Sequence, residues 1–265
     1  MLAGLEFRSN DRQAVAAATV PQADSGGLVV FRWFGATPPP TLALPEQIAA
    51  TIGDRIGSGA IEPGARIIEQ DVASAFETSR GPVREALRIL EREGLVRIHP
   101  RRGARATQLS PHEVCDLFEI RAYLYQAVAR RLAEQRPPEA IRLLEDGARE
   151  FRRLAEQSDG ADGYSRLVFR LSLDCVRLAG NPRLADMITS LALQTYRYTR
   201  LGLESRARRR SSAAMWQASL TAIRSGDVAT AMQIAERRIL AGREEVLRLL
   251  QGEAKVSATN PRSPE

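Results

Sequence analysis

Between residues 109 and 252, apolar side chains return every three or four positions, and nowhere do they alternate as a strand requires. Val114, Leu117, Phe118, Leu124, Val128 and Leu132 fall on one side of a helix opened by Ser110-Pro111. Pro137-Pro138, the glycines at 160 and 163, Gly180-Asn181-Pro182 and Gly226-Asp227 divide the rest, which predicts about six helices. So long a helical stretch has to close on itself as a bundle.

Residues 42–108 read differently. Ile48, Ile52 and Ile56 mark an amphipathic helix ending at Gly57-Ser58-Gly59, and Pro63-Gly64 makes the next turn. A short helix carries Val72, Ala73 and Phe76. Ser79 is placed to cap a third helix, in which Val83, Ala86, Leu87 and Leu90 face inward and which Gly94 ends. Two short strands follow, near 95–99 and 103–107, joined by Pro100-Arg101-Arg102-Gly103. Three helices and a β-hairpin in this order predict a winged helix-turn-helix. The expected fold class is mainly α: a winged helix-turn-helix over 42–108 and an all-helical domain over 109–252.

Residues 1–41, with Pro21, Gly26, Gly27 and Pro38-Pro39-Pro40, read as a flexible extension. A short strand or docking segment near 28–34, and a start codon assigned too early, are the alternatives. The polar stretch 253–265 is expected to be disordered. No run approaches the ~20 apolar residues of a membrane span. Residues 1–7 lack the basic flank and apolar stretch of a secretory signal. Two cysteines, Cys115 and Cys175, make no disulfide framework, so a cytoplasmic location away from membranes is expected.

The formal charge is +6, and Lys255 is the one lysine among 38 basic residues. The charge is unevenly placed. Residues 42–78 hold two arginines against six acids, and residues 79–105 hold eight against three. Arg80, Arg84 and Arg88 recur every four residues, opposite the Val83/Leu87/Leu90 face. Such a row is commonly a solvated helix face. Here it coincides with helix-turn-helix spacing and a basic hairpin tip, which points to DNA. Ser79 and Arg80 sit at the helix N-terminus, and Arg80 and Arg84 are long enough to read guanine in the major groove. Arg88 and Arg92 are placed for phosphate, or for pairing with Glu85 and Glu91. Arg101 and Arg102 suit a minor groove. Catalysis is not expected, because His99 and His112 are the only histidines and no glycine-rich phosphate loop is present.

The strings Gly59-Ala-Ile-Glu-Pro-Gly-Ala-Arg66, Ser79-Arg-Gly-Pro-Val-Arg-Glu-Ala-Leu87 and Leu90-Glu-Arg-Glu-Gly-Leu95, with Arg101-Arg-Gly103, resemble the GntR family of bacterial transcription regulators. Phe118-Glu-Ile-Arg121, Ala179-Gly-Asn-Pro-Arg-Leu184 and Ala222-Ile-Arg-Ser-Gly-Asp227 resemble the FCD-type effector domain of its FadR subfamily. The resemblance covers about 42–250. It implies a homodimer on a short inverted repeat of double-stranded DNA, most often a repressor, released by a small organic acid. It also implies that Ser79, Arg80 and Arg84 read the operator and that Gly103 lets the wing approach the backbone.

Departures from the family pattern matter as much. The turn before the recognition helix carries Glu77 where glycine is common, and Gln70 stands where some members have arginine. Many FCD domains hold a divalent ion with an Asp-x-x-x-His pair and two further histidines. Those positions correspond here to Arg166 and Arg170, to Trp216 and to Arg238, so no metal and no other cofactor is expected. Arg166, Arg170 and Arg238 could supply the ion's positive charge, with Arg121 inward on its helix and Trp216 as an apolar wall. The alternative makes Arg166, Arg170, Asp174 and Arg177 a solvated stripe with internal pairing, and Trp216 core filler. A helical domain that only dimerises is the competing function, and a polar internal cavity discriminates the two.

Overall fold

The structure is a computed structural model that describes residues 42–259, with side chains as far as residue 251. The expectations for residues 1–41 and 260–265 lie outside the described residues. The chain forms two compact units that divide between Gln108 and Leu109.

The first unit contains α1 (Leu44–Ser58), β1 (Arg66–Ile67), α2 (Glu69–Ala75), α3 (Arg80–Arg92), β2 (Val96–His99) and β3 (Gly103–Ala106). Proline in the first turn of α1 and the Glu46 carboxylate, which accepts the Ala43 amide at 2.9 Å, start that helix. Ile48 and Ile52 are fully buried, and α1 packs on α3, whose Val83, Leu87 and Leu90 are buried as well. The sheet is antiparallel in the order β1-β3-β2, pairing Ile67 with Ala104 and Val96 with Ala106. The β1 strand went unpredicted, because two residues carry no readable alternation.

The second unit is wholly helical among the described residues: α4 (Pro111–Gln135), α5 (Pro138–Ala155), α6 (Ala161–Leu178), α7 (Pro182–Leu201), α8 (Arg206–Ser225) and α9 (Val228–Thr259). Ser110 opens α4 with a reciprocal cap, its hydroxyl accepting from the Glu113 amide and its amide donating to the Glu113 carboxylate. The stretch expected to be disordered from 253 begins instead as helix, since α9 runs to Thr259. One glycine costs a helix only about 1 kcal/mol, and Gly252 is followed by the good helix formers Glu253, Ala254 and Lys255. The central packing lays α4 along α9 and α5 along α8. Phe151 stacks on Trp216 at 5.1 Å and lies 4.9 Å from the Tyr164 ring. No described helix is long and apolar enough to cross a membrane.

Candidate functional site

The recognition helix α3 buries Val83, Leu87 and Leu90 and leaves Arg80, Arg84 and Arg88 exposed. Burial of the apolar face therefore fixes the direction of the basic one. Ser79 stands at the N-cap, but its hydroxyl makes no capping hydrogen bond. Arg80 donates from Nε to Gln70 Oε1 at 2.8 Å, and Arg84 donates from Nε to Glu69 Oε2 at 2.9 Å. No ion pair joins Arg88 or Arg92 to Glu85 or Glu91 among the described residues. The Glu91 carboxylate instead accepts the Ile98 amide at 2.9 Å.

The turn between α2 and α3 places Glu77 at φ 49°, the left-handed conformation that the missing glycine would have favoured. At the wing tip Arg101 has φ 62° and Gly103 φ 80°. The register adds residues that sequence reasoning missed. Arg66 pairs with Arg105, and Arg105 with Arg97, so three exposed arginines cross the sheet in one row. They come from three strands, and only the pairing brings them together.

In the helical unit the five arginine and tryptophan candidates separate. Arg238 lies over the Trp216 ring, 3.4 Å from its centroid, and both line a small cavity with Tyr125, Cys175, Ser219 and aliphatic side chains. The Trp216 indole N–H and the Tyr125 hydroxyl are buried without a hydrogen-bond partner. Burial lowers the Arg238 pKa to about 10, so the group stays cationic at neutral pH. No carboxylate pairs with it among the described residues. Arg121, 5% exposed, donates to the hydroxyls of Thr195 at 2.7 Å and Thr199 at 3.3 Å, with its guanidinium carbon 5.1 Å from the Phe118 centroid. Neither Glu119 nor Asp116 pairs with it. Desolvation lowers its pKa, partly opposed by Tyr125. The cavity volume is about 20 Å³, room for one water.

Arg166 and Arg170 do not join this group. Arg166 pairs with Asp162 at 3.1 Å, and the same carboxylate receives Arg200 at 3.2 Å. Arg170 is exposed, and Arg177 pairs with Asp174. The stripe on α6 is thus a paired, largely solvated face. The cavity receives Cys175 from α6 instead.

The metal that FCD domains commonly hold finds no donor set here. Among the described residues no three His, Cys, Asp or Glu side chains gather for an ion. Cys175 alone lines the cavity as a soft donor, its thiol pushed up to about 12 by burial and facing the Arg238 cation. A guanidinium and a protonated thiol do not fit a divalent ion.

A winged helix-turn-helix with a basic recognition face, joined to a six-helix unit, defines a class: a bacterial transcription regulator with a separate helical domain. Residues 44–105 match the model of the bacterial regulatory proteins of the gntR family, and residues 116–241 match the FCD domain. The chain belongs to the GntR family and carries an FCD domain.

It is similar to the uncharacterized HTH-type transcriptional regulator YdhC of Bacillus subtilis, 36% identical over 34% of this chain and 40% of that protein. It is likewise similar to the gluconate operon transcriptional repressor of B. subtilis, 36% identical over 33% of this chain and 36% of the repressor. The HTH-type transcriptional repressor RspR of Escherichia coli is 37% identical over 36% of this chain and 41% of RspR. The matched segments thus span about two fifths of these relatives. In fold, the chain resembles E. coli McbR/YncC, with TM-score 0.68 and 18% identity over 79% of this chain and 100% of that one. It also resembles Lar, described as controlling expression of the Listeria monocytogenes agr system, with TM-score 0.57 and 18% identity over 78% and 98%.

Proposed function

We propose that this regulator is a cytoplasmic homodimeric repressor that reads a short inverted repeat of duplex DNA. Ser79, Arg80 and Arg84 enter the major groove, Arg88 meets phosphate, and Arg101, Arg102 and Gly103 bring the wing to the adjacent backbone and minor groove. The observation that carries the reading is the separation of charge on α3, where a fully apolar face is buried and three arginines at four-residue spacing are left outside. Arg66, Arg97 and Arg105 extend the positive surface across the wing sheet, where a phosphate backbone would relieve their mutual repulsion.

The effector assigned to the helical unit is a small organic anion held without metal by Arg238, Trp216 and Arg121. Arg121, buried without a carboxylate partner, supports this, because a buried cation is costly until an anion meets it, and the half-buried Arg238 beside the cavity is a second guanidinium that no carboxylate pairs among the described residues. Such a ligand enters only as Arg238 lifts from Trp216, since the cavity as it stands holds about one water. Thr195 and Thr199, which hold Arg121, share α7 with Tyr198, whose hydroxyl accepts the Leu109 amide at 3.0 Å. One helix therefore links the cation to the first residue of the unit. The small cavity also favours a second reading, in which the helical unit only dimerises.

Gel shifts with the DNA upstream of its own coding region, repeated with a series of mono- and dicarboxylates with and without chelator, test both readings. Release of DNA by a carboxylate, unaffected by chelator, is the expected result. Tight DNA binding indifferent to every carboxylate supports the dimerisation reading, and loss of the response with chelator overturns the metal-free site.

A further inference from the structure

We infer that Glu69 and Gln70 are positioning residues for operator reading, each holding one recognition arginine by its Nε. The inference rests on the DNA-binding reading above and concerns how that reading is made selective.

Helix α2 presents two consecutive acceptors to α3. Glu69 Oε2 receives Arg84 Nε at 2.9 Å, and Gln70 Oε1 receives Arg80 Nε at 2.8 Å. The two arginines are one helical turn apart on α3, so adjacent residues of α2 serve adjacent rungs of the recognition face. Both contacts use Nε. No described protein atom binds the Nη groups of either arginine, and those are the two parallel donors that meet guanine O6 and N7.

A free arginine side chain samples many rotamers and loses that freedom on binding. An arginine already tethered at Nε has lost much of it before DNA arrives. Glu69 also places a negative charge near the phosphates. Its presence lowers attraction to any duplex while sharpening the geometry for one sequence. The two effects have opposite signs on non-specific and specific affinity, which separates positioning from simple electrostatics.

The test measures binding of the full chain to a duplex from upstream of its own coding region and to a scrambled duplex of equal length. Glu69→Ala should lower the ratio of specific to non-specific affinity by about tenfold, with binding to the scrambled duplex unchanged or tighter. Glu69→Gln, which keeps an acceptor for Nε, should recover most of the ratio. In an Arg84→Ala background, Glu69→Ala should no longer change the ratio. Gln70→Ala should act in the same way through Arg80. An equal gain in affinity for both duplexes on Glu69→Ala would overturn the inference, as would a failure of Arg84→Ala to abolish the effect. Failure of the unaltered chain to bind any duplex would overturn the DNA-binding reading itself, a separate outcome.

Discussion

Arg209 and Arg238 are the same residue type inside one helical unit, with opposite consequences. Arg209, 1% exposed, donates to the carbonyls of Leu203 at 3.1 Å, Glu204 at 2.5 Å and Gln157 at 2.7 Å. It thereby satisfies carbonyls at the chain ends after α7 and α5, that of Leu203 buried and those of Glu204 and Gln157 partly so. Removing it leaves one buried and two partly buried carbonyls unpaired and empties a buried side-chain site, so Arg209→Ala should destabilise the protein by roughly 3 kcal/mol in urea unfolding. Arg238 makes no such bonds and sits only on Trp216. Its folded pKa, about 10, lies below the ordinary value of 12.5, so the desolvation cost of its charge is present at neutral pH and is relieved as pH rises from about 10 toward 12.5. Arg238→Met should therefore leave the free protein as stable as before, or more stable by about 1 kcal/mol, while abolishing any carboxylate-induced thermal shift. A large drop in stability on that change would mean that the guanidinium has a structural partner. Sequence could have found Arg209. It lies seven residues before Trp216, in phase with the buried Ser212, Ala213, Leu220 and Ile223 of α8.

At the scale of elements, the wing depends on one backbone conformation. A Cβ on Gly103 would lie 3.8 Å from Arg66 Nε, ordinary contact, so space does not forbid alanine there. The φ of 80° does, at roughly 1–2 kcal/mol. Gly103→Ala should lower stability by that amount and weaken DNA binding through a shifted wing, measured by urea unfolding and fluorescence anisotropy. The helix-turn-helix and hairpin were legible because their apolar spacing and turn residues agree with the tertiary burial. The inward face of α6 was not. Ser165, Ser172 and Cys175 are buried there among Tyr164, Phe169, Leu171, Leu173 and Val176, and the small side chains interrupt the apolar period. The arginines at 166 and 170 carry the clearest period of that helix, and the fold turns them toward solvent and Asp162. Trp216 and Arg238 are placed by two short anchors on either side of one turn, Trp216 by Ala222-Ile223 and Arg238 by Gly226-Asp227, and the fold brings the two side chains into contact.

For the molecule as a whole, the central claim is that the basic face of α3 binds duplex DNA by both charge and base contact. The charge of the first unit is uneven, acid in its first half and arginine in its second, and on the proposed reading the basic half would supply the long-range attraction. On the same reading, arginine forks on α3 would supply the discrimination. The most direct measurement is anisotropy titration of the upstream duplex over a range of salt, for the unaltered chain and for Arg84→Ala. The account predicts salt-dependent binding that Arg84→Ala weakens by roughly 1–3 kcal/mol on the upstream duplex and much less on a scrambled one. Equal binding of both proteins to both duplexes would contradict it.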